Sequence, residues 1–166
     1  MTHGMTHAAT HMTHAPTGRR GRPFGYRKAQ AQRFVTALNT LAYRLTDGRV
    51  AGQFFGAPVL LLHTIGRKTG RLRITPLCYV RDGERLVLIG SNGGAARDPA
   101  WLHNLRARPR ALIQLGADRI EVRARDAEPD ERERLWQRAV AMYPGYAEYQ
   151  RRTDRRIPLV VLEPYQ

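Results

Sequence analysis

An apolar run, Val59-Leu60-Leu61-Leu62, is soon followed by Gly66-Arg67-Lys68-Thr69-Gly70-Arg71-Leu72-Arg73, and a second apolar run extends from Ile74 to Val80. Two runs of strand length on either side of a glycine-framed break read as a hairpin whose strands fold back on each other, with a cationic loop at the tip. Gly66 and Gly70 let the backbone turn, because glycine reaches positive φ without steric cost. Backbone N–H groups exposed in such a loop, together with fixed Arg and Lys charges, make a site for a phosphate or a carboxylate-rich ligand. A lone basic turn would be read as a solvated turn. The segments that follow this one favour the ligand.

Downstream, the pattern is one of short strands separated by turn signals. Residues 58–65 form a buried strand and residues 72–81 the next. Pro76 has no N–H, which puts that strand at an edge or gives it a bulge. Asp82-Gly83 reads as a two-residue hairpin turn leading to a strand over residues 85–90. Ser91-Asn92-Gly93-Gly94 opens a loop. Asp98 is the expected cap, and Pro99 the expected first-turn residue, of a helix that carries Trp101, Leu102 and Leu105 and stops before Pro109. Residues 111–115 and 119–125 read as another hairpin, in which Ile120, Val122 and Ala124 alternate with charged neighbours. Pro129-Asp130-Glu131 starts the last long helix, with Leu135, Trp136, Ala139, Val140 and Tyr143 as its inner stripe. Pro144 interrupts it, a shorter helix carries Tyr146 and Tyr149, and residues 157–162 form a final strand. About six antiparallel strands with helices inserted between hairpins predict an α+β fold built on a small β-barrel, without the β-α-β alternation of a doubly wound sheet.

The chain of 166 residues suits one domain. Residues 1–23 repeat Met-Thr-His, offer little to bury and read as a disordered tail; its histidines, His3, His7, His11 and His14, are not favoured as metal ligands. Residues 24–166 form the domain, beginning with an amphipathic helix over residues 26–47 whose apolar face includes Phe34, Leu38, Leu41 and Leu45. Arg27, Lys28, Arg33 and Arg44 fall outside that face. The helix is expected to pack on the core, with peripheral contact on an anionic membrane as the second reading. The net charge of +14 implies an anionic partner. A nucleic-acid module is disfavoured, because the aromatics cluster at Tyr143–Tyr149 and do not interleave with the charges. Cys78 is the only cysteine, so no intrachain disulfide forms and a reducing, cytoplasmic setting is expected. No apolar run approaches the ~20 residues of a membrane span, and no signal-peptide pattern is present. His63 and His103 lack partners at metal-ligand spacing, and there is no phosphate-loop or dinucleotide fingerprint.

Three segments are candidates to converge on one ligand: the cationic loop with Arg67, Lys68 and Arg73; Ser91-Asn92-Gly93-Gly94 with the helix bearing Trp101, His103 and Asn104; and Tyr143-Pro144-Gly145-Tyr146-Ala147-Glu148-Tyr149. Taken in order with Arg73-Ile74-Thr75-Pro76-Leu77, Pro99–Leu105 and Ile157–Pro164, these motifs resemble the deazaflavin-dependent nitroreductase family over roughly Phe54 to Pro164. The resemblance implies a split β-barrel related to flavin-binding reductases, and the use of reduced coenzyme F420. It implies that Arg67, Lys68, Thr69 and Arg73 meet the cofactor's phosphate and oligoglutamate tail. Ile74, Thr75, Pro76, Leu77 and Cys78, with Ile89, Gly90, Ser91 and Asn92, would line the deazaflavin. Ala100, Trp101, Leu102, His103 and Asn104 would supply a helical contact. Relatives often carry lysine where this chain has Asn92, so one cationic contact is missing from the pattern.

The implied activity is hydride transfer from the reduced deazaflavin to an electron-poor acceptor, a quinone or a nitroaromatic. Ser91 and Tyr146 would donate hydrogen bonds to the acceptor oxygen and Tyr143 and Tyr149 would wall the pocket, with Tyr146 also near the cofactor. The alternative is a split-barrel protein that binds FMN or another flavin with little catalysis. Lipid quinone as acceptor would give residues 26–47 a reason to touch the inner face of the cell membrane.

Overall fold

The computed structural model describes residues 52–54 and 56–165. The expected tail and the amphipathic segment over residues 26–47 lie outside them. A short strand, β1 (Gln53–Phe54), leads into β2 (Ala57–Ile65). Then come β3 (Leu72–Asp82), β4 (Arg85–Ile89), a 3-10 turn at Asn92–Gly94, and α1 (Ala100–Ala107). The hairpin β5 (Arg110–Leu115) and β6 (Asp118–Asp126) is followed by α2 (Pro129–Met142), α3 (Gly145–Arg151) and β7 (Leu159–Pro164).

Six strands, in the order β2-β3-β4-β7-β6-β5, close into an antiparallel barrel because β5 also pairs with β2, Leu62 opposite Ile113. Alternation along the strands divides the apolar residues into two large cores and a small third cluster, Val59 and Leu61 with Ile74 and Cys78 against them. Leu60, Leu62, Leu86, Leu88, Val160 and Leu162 cluster with Trp101, Leu102 and Leu105 of α1, which plugs the barrel. Their neighbours Val80, Val87, Ile89, Leu159 and Val161 cluster with Leu135 and Ala139 of α2 and Tyr146 of α3, which cover the outside. The expected barrel and its helices are therefore present, with β1 added.

The most consequential feature is a mismatch of length. β3 has 11 residues and β4 has 5. The two pair only from Tyr79↔Leu88 to Asp82↔Arg85, whereas β3 pairs with β2 along Leu72–Cys78. Beyond Ile89 the chain turns away at Gly90, whose N–H donates to the Pro158 carbonyl at 2.8 Å. Among the described residues no second strand flanks Leu72–Cys78, so this part of β3 is an edge, as Pro76 required.

Two local readings are corrected. The β3–β4 loop is Gly83-Glu84, not Asp82-Gly83: Asp82 pairs with Arg85 as the last strand residue, and φ is positive at Gly83, +64°. The reason is charge. Asp82 is only 7% exposed and binds Arg85 at 2.6 Å, Arg134 at 2.6 Å and Arg138 at 2.8 Å, stapling the hairpin to α2. Asp98 does not cap α1. Pro99 occupies that position without a side-chain cap, and the Asp98 carboxylate binds Arg106 and Arg155 instead, both at 2.9 Å. The last strand also sits two residues later than expected, because Ile157 is taken up by the outer core and its N–H bonds to Gln150.

The Arg134 guanidinium, with Arg85, lowers the Asp82 carboxyl to about 2 despite its burial. A lowered folded-state pKa means that the stabilisation is complete above the unfolded carboxyl range and is lost as pH falls toward 2. Asp82→Asn should cost about 1–3 kcal/mol at neutral pH. In denaturant melts, the gap between the two proteins should narrow below about pH 4; a gap independent of pH would show that the staple carries no charge-dependent stability.

Candidate functional site

The cationic loop is built by a few backbone bonds and one buried amide. Gly66 N–H donates to the Arg71 carbonyl at 2.9 Å and Gly70 N–H to the Gly66 carbonyl at 2.8 Å. Gly70 takes φ +64°, as anticipated. Gly66 is needed for a different reason: a Cβ there would lie 2.7 Å from Thr69 Oγ1, so the requirement is space, not φ. The Asn104 side chain, 7% exposed, accepts from Arg67 N–H at 3.0 Å and donates to Thr64 Oγ1 at 3.1 Å. It thus pins the loop to the helix that plugs the barrel. Among the described residues no carboxylate pairs with Arg67, Lys68, Arg71 or Arg73, whereas Arg85, Arg125, Arg134 and Arg155 all have carboxylate partners. Arg67, Lys68, Arg71 and Arg73 are exposed, and they gather on one loop at the tip of the β2–β3 hairpin.

From the loop, the edge of β3 runs past Ile74, Thr75, Pro76 and Leu77, all half-buried, to Cys78. At about 3.3 Å per residue, Arg73 and Cys78 are roughly 16 Å apart along the strand. At the far end the Cys78 thiol stands beside the Tyr146 phenol. Tyr146 is 6% exposed and its ring meets Tyr143 edge-on at 5.2 Å between centroids. Tyr149 lies 6.2 Å from Tyr143 and 6.3 Å from Tyr146 by the same measure, and the Tyr143 and Tyr149 hydroxyls are 3.4 Å apart. The three-residue spacing therefore gathers all three phenols, which satisfies the sequence argument. Gly145 makes this possible, since a Cβ there would lie 2.4 Å from the Tyr143 ring.

Burial, followed by the neighbouring thiol and phenols, pushes the Tyr146 phenol far above its ordinary range. The hydrogen bond to Tyr149, then burial, raises Tyr143. Burial also raises the Cys78 thiol, partly offset by the Tyr146 hydroxyl beside it. In all three groups the shift favours the protonated form.

The third segment closes the far end. Ile89 and Gly90 end β4, and Ser91 precedes a turn in which Asn92, Gly93 and Gly94 all have positive φ, 48°, 64° and 79°. Asn92 is among the few side chains that tolerate this conformation, and its amide donates to the Arg97 carbonyl at 2.9 Å. It holds the loop, where a lysine would reach outward. A Cβ at Gly94 would meet the Tyr149 carbonyl at 2.8 Å, so the turn packs directly against α3. Within α1, Ala100 is exposed and His103 half-buried, while Trp101 and Leu102 belong to the barrel core. Their contribution is to hold the helix in place. Sequence reasoning missed the Asn104 bridge and Arg155, whose guanidinium spans several loop carbonyls. Isolated polar residues carry no pattern that would have revealed either. No group of metal-ligating residues occurs among the described residues, and no helix there is long and apolar enough to cross a membrane.

The family model for F420H(2)-dependent quinone reductase matches residues 35–164. An F420H(2)-dependent quinone reductase of Mycobacterium tuberculosis is 43% identical over 129 residues, 75% of this chain and 87% of that protein. A solved F420-H2 dependent reductase superposes with a TM-score of 0.59 at 39% identity, covering 64% of this chain and 94% of the other. A second structure, described as a domain-swapped dimer, gives a TM-score of 0.61 at 34% identity and covers 86% and 100% respectively.

Removing the Asn104 amide should loosen the loop selectively. Asn104→Leu leaves the Thr64 hydroxyl and the Arg67 N–H without their partner, at a cost of about 1–3 kcal/mol. Hydrogen exchange should show the Arg67 amide accelerated well beyond the amides of β4 and β7; uniform acceleration would mean that the bridge has no local role.

Proposed function

Since this chain belongs to the F420H(2)-dependent quinone reductase family, we propose that the slot along β3 is where it brings the reduced cofactor and its acceptor together. The protein is an oxidoreductase, reduced coenzyme F420 is its cofactor and quinones are its acceptors. Membership sets aside a flavin-binding protein with little catalysis. One observation carries the residue-level reading: cations with no carboxylate partner among the described residues stand at one end of a half-buried strand edge, and a cluster of phenols stands roughly 16 Å away at the other. That arrangement fits a long ligand with an anionic tail and a flat polar ring.

In this reading Arg67, Lys68 and Arg73 bind the phosphate and carboxylates of the tail, with Thr69 holding the loop's shape. Ile74–Cys78 and Ile89–Asn92 flank the ring, and Ala100–Asn104 back the site from α1. Bound reduced F420 supplies a hydride. The work of the protein is to orient and polarise the acceptor. The Tyr146 and Ser91 hydroxyls donate to the acceptor oxygen as negative charge builds on it, and Tyr143 and Tyr149 exclude water from that end. The raised phenol supports this role for Tyr146, because it keeps its proton across the physiological range. Nitroaromatics, whose electron-poor flat rings also carry oxygens that accept hydrogen bonds, are a second acceptor class. The basic amphipathic pattern over residues 26–47 supports a cytoplasmic protein with peripheral contact on the inner face of the cell membrane, where lipid quinones reside. Co-sedimentation with anionic but not neutral vesicles would bear this out, and equal recovery with both would refute it.

Oxidation of reduced F420 by a panel of quinones and nitro compounds tests the chemistry. Tyr146→Phe should lower quinone turnover on the order of 100-fold while leaving F420 affinity, read by fluorescence titration, nearly unchanged. The wild-type rate should show no phenol limb between about pH 6 and about pH 9. Unaltered turnover in the variant would remove Tyr146 from the donor role.

A further inference from the structure

The turn that carries Ser91 is held by a residue distant in sequence. Arg155 lies between α3 and β7, and its side chain is 15% exposed. Its guanidinium donates Nη2 to the carbonyls of Gly90 at 3.0 Å and Ser91 at 2.7 Å. Nε donates to the Ala95 carbonyl at 2.8 Å, and Nη1 binds Asp98 at 2.9 Å. One planar group therefore fixes both ends of a turn containing three successive residues at positive φ. Gln150 of α3 in turn fixes the backbone beside Arg155. Its Nε2 donates to the Arg155 carbonyl at 2.8 Å, and its Oε1 accepts from Ile157 N–H at 2.9 Å. Gly94 meets the Tyr149 backbone from the other side.

We propose that Arg155 is a positioning residue for quinone reduction, whose guanidinium locks the Ser91 turn in register with the tyrosine-bearing helix so that the hydroxyls of Ser91 and Tyr146 face one acceptor. The proposal rests on the reading of Ser91 and Tyr146 as acceptor-binding groups. The geometry explains the choice of arginine. A carbonyl pair, a third carbonyl and a carboxylate surround the group on several sides, and only a planar fork with five N–H donors meets them all; a lysine ammonium has three donors at one point. The bonded carbonyls, of Gly90 and Ser91 before the three left-handed residues and of Ala95 after them, flank that stretch on both sides. The effect on chemistry is therefore indirect, through the placement of Ser91 and of the turn against Tyr149.

The test uses the full chain as Arg155→Ala and Arg155→Lys. Hydrogen exchange, which needs neither cofactor nor turnover, should show the amides of Gly94 and Ala95 accelerated at least ~10-fold in Arg155→Ala, with the slow amides of β2 and β7 unchanged. Quinone turnover should fall on the order of 100-fold, since small misplacements of reacting groups have effects of that size. F420 affinity should fall much less than turnover, because the turn only flanks the ring while the tail-binding loop, which supplies the charge, lies at the other end of the slot. Added guanidinium ion should recover part of the turnover in Arg155→Ala and none in Ser91→Ala, and Arg155→Lys should stay impaired, since charge alone does not span the carbonyls. Arg155→Ala combined with Ser91→Ala should lose little more than either alone. Local exchange without loss of turnover, full activity in Arg155→Lys, or strictly additive losses would each overturn the proposal. If Ser91→Ala and Tyr146→Phe are both silent while Arg155→Ala loosens the turn, the acceptor reading fails independently of the clamp.

Discussion

The architecture depends on β3 outrunning β4. Pairing between these strands stops at Tyr79↔Leu88, while β3 continues to Leu72 with β2 as its only described strand partner. A backbone edge left unpaired inside an otherwise closed barrel must be covered, solvated or used. Here Pro76 withdraws one donor from that edge, and the half-buried residues from Ile74 to Cys78 line it. The barrel is closed elsewhere by β5 against β2, so the opening does not compromise the core. Both the slot and its rigidity follow from strand lengths.

Charge is distributed to match. Asp82 gathers Arg85, Arg134 and Arg138, and Glu131 binds Arg125 and Arg85. These contacts join the hairpin, the edge of the barrel and α2. Among the described residues the loop at the tip of the β2–β3 hairpin has no carboxylate partner, and Asn104 fixes its backbone through a neutral amide. A neutral support for a charged loop makes physical sense, since a carboxylate in that position would compete with an anionic ligand. At the opposite end three phenols gather, with the Arg152 guanidinium 5.6 Å from the Tyr149 ring centroid. In the proposed reading, one end of the slot holds the anionic cofactor by fixed charge and the other presents hydroxyls to the acceptor that the cofactor reduces.

Much of this was legible in the sequence because it rests on periodicity and on turn chemistry. Alternating apolar residues gave the strands, Pro76 marked an edge or a bulge, and the three-residue spacing of Tyr143, Tyr146 and Tyr149 matches a cluster in which Tyr146 and Tyr149 ride the short helix and Tyr143 stands just before it. What escaped was long-range. Asp82 looked like half of an Asp-Gly turn because nothing local announces that Arg134 and Arg138 will come to meet it. Asp98 looked like a helix cap because its true partners, Arg106 and Arg155, lie 8 and 57 residues away. Asn92 looked like a missing cation, whereas its positive φ and its bond to the Arg97 carbonyl make it part of the turn itself. In each case a polar side chain had one role available in sequence and another once the barrel closed.

The proposed account stands on electrostatic capture of an anionic tail by the cationic loop at the tip of the β2–β3 hairpin. The most direct measurement is a fluorescence titration of F420 into the full chain carrying Arg67→Glu and Lys68→Glu together. Affinity should fall by roughly 100-fold or more, and the wild-type affinity should weaken as salt is raised. An unchanged dissociation constant in the charge-reversed protein would contradict the account.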